Sequence, residues 1–173
     1  DPPASTIPNP IEGDVALGES AIGQGQVLAT PLQMASVAQT IANGGTRLPT
    51  PIVRTGELRP EAEPVEVTSP ETAATVRDMM VEVVRSGTGT AAALPDVQVA
   101  GKTGTAELGP KALQPGDQLG EGEEPEQEVD AWFTAFAPAK HPRVAVAVMI
   151  VNANGDGGVV AAPIARQVLA AAL

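Results

Sequence analysis

The sequence predicts an α/β fold in which an antiparallel β-sheet is sandwiched by helices. Three apolar, strand-like stretches lie in the second half of the chain: a run that begins at Val97, then residues 132–137, then residues 144–151. The link between the last two, residues 138–142, is too short for the crossover that parallel strands need, so antiparallel pairing is expected. Amphipathic helices flank these strands in sequence and can cover both faces of the sheet.

The first of these helices is predicted to begin after Thr30, whose hydroxyl can cap the first turn, and to end at Gly44 and Gly45. Pro31 suits the first helical position because its fixed φ fits a helix and its missing N–H is not needed there. Four apolar residues recur at spacings of three and four, which predicts one buried face. They are Met34, Val37, Ala38 and Ile41.

Two further helices are predicted before and after the strands. Ser69, Pro70 and Glu71 repeat the order of cap, proline and first-turn acid, and Gly87 ends that helix. Its apolar stripe is predicted to comprise Val76, Met79, Met80, Val83 and Val84. The terminal helix is predicted over residues 163–173, with an inward face made of Ile164, Val168 and Ala172.

The intervening stretches are predicted to be loops, turns or short strands. The proline content of residues 1–19 predicts a loop, and the glycine content of residues 20–25 and 152–158 predicts turns. Residues 88–94 are expected to form a loop or short turn. Residues 52–55 are expected to form a short strand.

Composition limits the functions that the chain can have. A formal net charge of -11 argues against a nucleic-acid partner, because such surfaces need clustered lysine and arginine. The chain has no cysteine and one histidine, His141, so neither a metal site nor a cofactor is expected. Residues 108–130 contain three prolines and seven acids, which predicts an acidic surface loop.

Lys102 and its neighbours have the clearest chemical character. Lys102 stands in a strand-like run between Gly101 and Gly104, and glycine in a strand often marks the close approach of a ligand or another chain. The lysine charge, together with the hydroxyl and N–H groups of Thr103 and Thr105, would make this strand edge a carboxylate-binding site. The alternative interpretation is a strand that carries a surface lysine and ends in a glycine turn.

A phosphate-binding loop of the form G-x-x-x-x-G-K-[ST] is excluded, although Gly101, Lys102 and Thr103 match its second half. Its first glycine should stand where this sequence has Asp96, and Gly104 interrupts the helix that should follow. The carboxylate site and the surface lysine remain as the two interpretations of the stretch.

Six short blocks are distributed along nearly the whole chain: residues 20–25 (SAIGQG), 30–35 (TPLQMA), 41–45 (IANGG), 100–106 (AGKTGTA), 131–133 (AWF) and 136–138 (FAP). In this order they resemble the transpeptidase domain of class B penicillin-binding proteins. K-T-G is one of three signature motifs of the serine enzymes that react with penicillin. The other two, S-x-x-K and S-x-N, do not occur in this sequence, because no serine has lysine three residues later or asparagine two residues later.

The resemblance implies that residues 1–173 are the C-terminal portion of a single transpeptidase domain with the fold of penicillin-binding proteins and serine β-lactamases. A nucleophilic serine is expected upstream of this chain, where it would attack the D-Ala-D-Ala end of a peptidoglycan stem peptide and be acylated by β-lactams. Lys102 and Thr105 are then expected to be catalytic, and Lys102, Thr103, Gly104 and Thr105 to bind substrate. The isolated chain is expected to be inactive.

The resemblance also implies partners and a location. The expected partners are the upstream serine-bearing part of the same domain, the stem peptide, β-lactam antibiotics and proteins of cell-wall synthesis. The expected location is the extracytoplasmic face of a bacterial membrane, reached through an anchor that this chain does not contain. A D,D-carboxypeptidase or a serine β-lactamase is the alternative within the same superfamily, and a non-enzymatic β-lactam sensor or interaction module is the alternative outside enzymes.

Overall fold

Helices lie on both faces of a three-stranded antiparallel sheet in the computed structural model, which describes residues 5–50, 63–110 and 127–173. In chain order the elements are α1 (Asp14–Ala21), α2 (Pro31–Ala42), β1 (Thr46–Arg47), β2 (Val65–Glu66), α3 (Pro70–Arg85), a 3₁₀ turn (Thr90–Ala92), β3 (Ala100–Pro110), β4 (Gln127–Ala137), β5 (Val144–Ile150) and α4 (Gly157–Ala172). The sheet has the order β3-β4-β5, and β1 pairs with β2 in a separate short ladder. No helix in the described ranges combines the length and apolar character needed to cross a bilayer.

Alternation along β4 separates the two halves of the core. Phe133 is fully buried on the face that α4 covers, where it packs with the alanines and Leu169 of that helix. Phe136 is fully buried on the other face, together with Ala38 of α2 and Met80 of α3. The predicted antiparallel sheet between helices is therefore confirmed.

The starts of α2 and α3 are as predicted from their caps. The side chain of Thr30 accepts a hydrogen bond from the N–H of Gln33 at 3.2 Å, and that of Ser69 accepts one from the N–H of Thr72 at 3.2 Å. In the first turn of α3, the backbone N–H of Glu71 itself and, to a smaller extent, the Ser69 hydroxyl hold the pKa of the Glu71 carboxyl below its ordinary value. These contacts lie within four residues in sequence, which is why the sequence predicts them.

The predicted inward faces of α2 and α3 are wrong at one position each. Val37 is 50% exposed and Met79 is 61% exposed, whereas their sequence neighbours Ala38 and Met80 are buried. An apolar stripe can be wider than the contact that the helix makes with the sheet. Spacing alone then does not identify which side of the stripe is covered.

The predicted loop at residues 1–19 is wrong from Asp14, where α1 begins, and the turn predicted at residues 20–25 is wrong at its first two residues, where α1 ends. Asp14 lies in the first turn, where an acid favours the helix dipole, and Gly13 precedes it with a φ of 87°. None of the residues of α1 is buried, so the helix shows no amphipathic pattern that a sequence could reveal. The loop was predicted from the prolines that precede α1, and that composition does not reflect the helix preference of the residues after Gly13.

The predicted acidic loop at residues 108–130 is also wrong at both of its ends. β3 continues to Pro110 and β4 begins at Gln127, because the ladder between them extends beyond the apolar part of each strand. The middle of that loop, residues 111–126, and the predicted strand at residues 52–55 lie outside the described residues.

Helix α4 begins at Gly157, earlier than the start predicted from Pro163, which lies inside the helix. Its buried face consists of Gly157, Ala161, Ala162, Ala165 and Leu169, and the predicted inward residues Ile164, Val168 and Ala172 are exposed. Small side chains let the helix axis approach the sheet closely. The resulting burial compensates for the backbone hydrogen bond that Pro163 cannot donate.

The first turn of α4 lies directly against strand backbone. A Cβ atom at Gly157 would overlap the carbonyl oxygen of Trp132 and lie 2.6 Å from that of Gly104. A Cβ atom at Gly158 would overlap the carbonyl oxygen of Thr88. Glycine is therefore required at both positions, because any other side chain would push the helix away from β3 and β4 at Gly157 and away from the segment before the 3₁₀ turn at Gly158.

Gly157→Ala should destabilise the fold by about 1–3 kcal/mol, the usual cost of overpacking a close contact. Gly18→Ala is the matched control, because Gly18 lies inside α1 and no other atom lies within 4 Å of the position that its Cβ would take. The control should be neutral or stabilising by about 0.5–1 kcal/mol, since alanine favours a helix interior. Thermal or urea denaturation measures both changes, and equal effects of the two substitutions would contradict the close contact.

Candidate active site

The K-T-G stretch lies on β3, which pairs with β4 on one side and forms an edge of the described sheet. Lys102 is exposed, and Thr103, Gly104 and Thr105 are half-buried. The structure thus brings the predicted site residues together on one strand edge. Alternation places Lys102 and Gly104 on one face of β3, and Thr103 and Thr105 on the other.

The backbone of β3 exposes hydrogen-bonding groups along this edge. The Thr105 carbonyl oxygen accepts a hydrogen bond from Gln24 Nε2 at 3.0 Å, and the N–H of Glu107 donates to Gln24 Oε1 at 3.3 Å. The N–H and C=O of one strand residue point to the same side, and every second residue shares that side. The N–H groups of Thr103 and Thr105 therefore also point away from β4, toward the open edge.

The side chain of Lys102 lies on the face that α2 covers. Its partner across the ladder is Thr134, whose hydroxyl donates to the carbonyl oxygen of Met34 in α2 at 3.1 Å. Lys102 Nζ donates to the carbonyl oxygen of Thr103 at 2.7 Å. This bond to an exposed carbonyl leaves two other N–H bonds of the ammonium available for a ligand.

The hydroxyls of the two threonines contact the segment before β3 and the start of α4. Thr103 Oγ1 lies 2.8 Å from Thr88 Oγ1, and either oxygen can be the donor. Thr105 Oγ1 donates to Asp156 Oδ1 at 3.5 Å, a long and therefore weak hydrogen bond. Asp156 is the residue that immediately precedes α4.

The two glycines of the stretch make close contacts inside the protein. A Cβ atom at Gly101 would lie 2.5 Å from Phe133 Cζ, and one at Gly104 would lie 3.2 Å from Trp132 Cβ. The sequence predicted a close approach at these glycines by a ligand or another chain. The neighbour that requires glycine at position 101 is instead the buried ring of Phe133.

A cleft of about 430 Å³ opens beside β3. One wall is the segment around Gln24, and the other is formed by β3 and by Trp132 and Thr134 of β4. Lys102 is the cation among the described residues that line it. Within the described ranges, no three His, Asp or Glu side chains are grouped as metal ligands would be.

Three residues in these contacts were not among the predicted site residues. Thr88 and Asp156 bond to the threonine hydroxyls, and Gln24 bonds to the backbone of β3. All three stand between two glycines in the sequence, at residues 23–25, 87–89 and 155–157, and this spacing is typical of a turn. Such a turn presents one side chain outward, but the sequence does not indicate its partner.

Known proteins resemble this chain over nearly its full length. The family profile described as penicillin binding protein transpeptidase domain matches residues 3–170. Peptidoglycan D,D-transpeptidase PbpA of Mycolicibacterium smegmatis is 41% identical over 186 residues, which cover 98% of this chain and 34% of that protein. Peptidoglycan D,D-transpeptidase MrdA of Acinetobacter baumannii is 34% identical over 157 residues, which cover 86% of this chain and 23% of that protein.

Solved structures show the same similarity. Penicillin-binding protein A from M. tuberculosis, in a ceftriaxone acyl-enzyme complex, aligns with a TM-score of 0.72 and 37% identity over 95% of this chain and 37% of its own. The chain spans about a third of the length of the PbpA relatives that it matches. Because the family match and these identities extend over nearly all of it, the chain belongs to the penicillin-binding protein transpeptidase-domain family, in the class B group that its six sequence blocks resemble.

Proposed function

We propose that residues 1–173 form the C-terminal portion of a D,D-transpeptidase domain that cross-links peptidoglycan stem peptides. The observation that carries this proposal is the edge position of β3, where exposed Lys102 adjoins the outward N–H groups of Thr103 and Thr105. The names of the PbpA and MrdA relatives support the activity. The nucleophilic serine is supplied by an upstream portion of the same domain, since this sequence contains no S-x-x-K motif.

Lys102 and Thr103 bind the terminal carboxylate of the acyl donor. Lys102 contributes a fixed positive charge, and a charge-assisted hydrogen bond is stronger than a neutral one. The contact between Thr103 Oγ1 and Thr88 Oγ1 orients the Thr103 hydroxyl. When Thr88 donates, the hydroxyl proton of Thr103 is free to point at the carboxylate.

Thr105 stabilises the charge that develops during acylation. The serine oxygen attacks the carbonyl carbon of the D-Ala-D-Ala bond, the C–N bond breaks, and the terminal D-Ala leaves as an amine. In the tetrahedral intermediate, the former carbonyl oxygen carries a negative charge that needs preorganised N–H donors. The N–H of Thr105 is one such donor because it points to the open edge, as does its carbonyl group. Gly104 permits the close approach of the substrate backbone.

The acyl-enzyme then passes its acyl group to an amine of a neighbouring stem peptide, and a β-lactam that opens on the same serine blocks this transfer. A peptidoglycan substrate implies that the domain acts on the extracytoplasmic face of the membrane. Transfer to an amine distinguishes this activity from the carboxypeptidase and β-lactamase alternatives, in which water takes the acyl group. A sensor would hold the β-lactam acyl group without forming cross-links.

This chain alone should not become labelled by a fluorescent penicillin, because it lacks the serine motif that the antibiotic acylates. The complete domain, produced with its upstream portion, should be labelled under the same conditions. Denaturing gel electrophoresis reports both results. A labelled band at the mass of this chain would contradict the placement of the nucleophile.

Lys102→Ala in the complete domain should nearly abolish acylation, because it removes the charge that binds the carboxylate. Lys140→Ala is the matched control, since Lys140 is an exposed lysine in the turn between β4 and β5. The measurement is the second-order rate constant for acylation by a penicillin, determined for wild type and for both variants. If Lys102→Ala acylates within about threefold of wild type, under about 1 kcal/mol of transition-state stabilisation is lost and the strand is structural.

Thr103→Val should lower the acylation rate constant by about ten- to a hundredfold, because one donor to a charged group, worth about 1.5–3 kcal/mol, is lost.

Thr105→Val should lower the acylation rate constant less than Lys102→Ala, because the backbone N–H of residue 105 is retained. Thr88→Val tests whether the Thr103 hydroxyl depends on its neighbour and should cost less than Thr103→Val. Equal losses for Thr105→Val and Lys102→Ala would show that the Thr105 hydroxyl, not its N–H, is the important group.

A further inference from the structure

The carboxamide of Gln24 makes a two-point contact with the open edge of β3. Its Nε2 donates to the Thr105 carbonyl oxygen at 3.0 Å, and its Oε1 accepts from the Glu107 N–H at 3.3 Å. A residue of a parallel neighbouring strand would bond to the same two groups, one carbonyl and the N–H two residues later. The side chain therefore occupies the position of a neighbouring strand at this point of the edge.

The loop that carries Gln24 is itself held in place. The Gln24 N–H donates to the carbonyl oxygen of Glu19 in α1 at 2.9 Å. A Cβ atom at Gly25 would lie 2.9 Å from Glu19 Oε2, so the turn packs closely on that helix. Farther along, Leu28 and Thr6 exchange two backbone hydrogen bonds, of 2.8 and 2.9 Å. Backbone hydrogen bonds thus connect the two ends of the Gln24 loop to α1 and to Thr6.

This contact lies next to the group that the proposed reaction uses. The Thr105 carbonyl belongs to the peptide plane that follows its Cα atom, and the Thr105 N–H belongs to the plane that precedes it. A hydrogen bond to the carbonyl restricts the rotation of the strand at this residue and thereby the direction of the N–H. An oxyanion donor is effective when its direction is fixed before the charge develops.

We propose that Gln24 is a positioning residue of the transpeptidase site: it holds the edge of β3 so that the Thr105 N–H points at the developing oxyanion. The proposal rests on the proposed function. Gln24 occupies both the Thr105 carbonyl oxygen and the Glu107 N–H, so an acyl donor that adds to β3 as an extra strand can pair as far as the Thr105 N–H and no farther. The proposal extends the site beyond the K-T-G strand to a loop about 80 residues earlier in the chain.

Gln24→Glu in the complete domain tests the proposal with an isosteric change. The new carboxylate still accepts from the Glu107 N–H, but it has no proton for the Thr105 carbonyl oxygen and repels it. The acylation rate constant at neutral pH should fall by about ten- to a hundredfold, with noncovalent affinity for the penicillin within about threefold. A protonated carboxyl can donate again, so the ratio of variant to wild-type rate constants should recover as pH falls toward about 4.3.

Two further variants separate positioning from folding. Gln26→Glu is the matched control, since it places the same charge on an exposed glutamine of the same loop and should leave acylation unchanged at every pH. Gln24→Met keeps the side-chain length without either hydrogen bond, and it should acylate about three- to tenfold more slowly with no recovery at low pH. Melting temperatures of all variants show whether any of them has lost its fold.

The proposal is overturned if Gln24→Glu acylates within threefold of wild type, if its loss does not recover at low pH, or if Gln26→Glu shows the same loss. Lys102→Ala measured in parallel distinguishes this result from a failure of the proposed function. If Lys102→Ala abolishes acylation while Gln24→Glu does not slow it, only the positioning role is wrong. If Lys102→Ala also acylates normally, the proposed function of β3 is wrong as well.

Discussion

The contact between the first turn of α4 and the backbone of β3 and β4 is the constraint on which the site depends. Gly157 and Gly158 bring the helix against the carbonyl groups of Gly104, Trp132 and Thr88. The same contact places Asp156 beside Thr105 and the segment of Thr88 beside Thr103. The helix thereby supports one face of the strand, and the Gln24 loop supports its open edge, whereas the face that carries Lys102 borders the cleft.

The charges that line the cleft are mixed. The chain has a net charge of -11, and Lys102 brings a positive charge to a cleft that Glu107 and Asp130 also line. Asp130 is buried, and one of its oxygens accepts the N–H of Asn152 at 3.0 Å. A single cation among acids does not form a broad anionic-ligand surface. Under the proposed function, it provides a local site where one carboxylate gains a partner while the neighbouring acids repel other anions.

The sequence predicted the features that depend on local signals and missed those that depend on contacts across the fold. The caps at Thr30 and Ser69 and the antiparallel pairing of β4 with β5 follow from residues that are close together in the chain. Met79 and Val168 were predicted to face inward because apolar residues recur there at helical spacing. The residues that are buried are instead Met80 in α3 and Ala165 and Leu169 in α4. K-T-G predicted the strand edge on which the proposed site is built. Gln24 could not be predicted because its partners lie more than 80 residues away.

The packing of Gly101 also limits how this site can vary in evolution. Any side chain at that position would meet the ring of Phe133, which is fully buried, so a larger residue there demands a simultaneous loss of volume at position 133. Under the proposed function, a single substitution of Gly101 is therefore not a route to lower antibiotic affinity. Under the proposed function, substitutions that alter antibiotic affinity and preserve activity should accumulate on the opposite wall of the cleft, at exposed side chains such as Ile22 and Leu28 and not at Gln24.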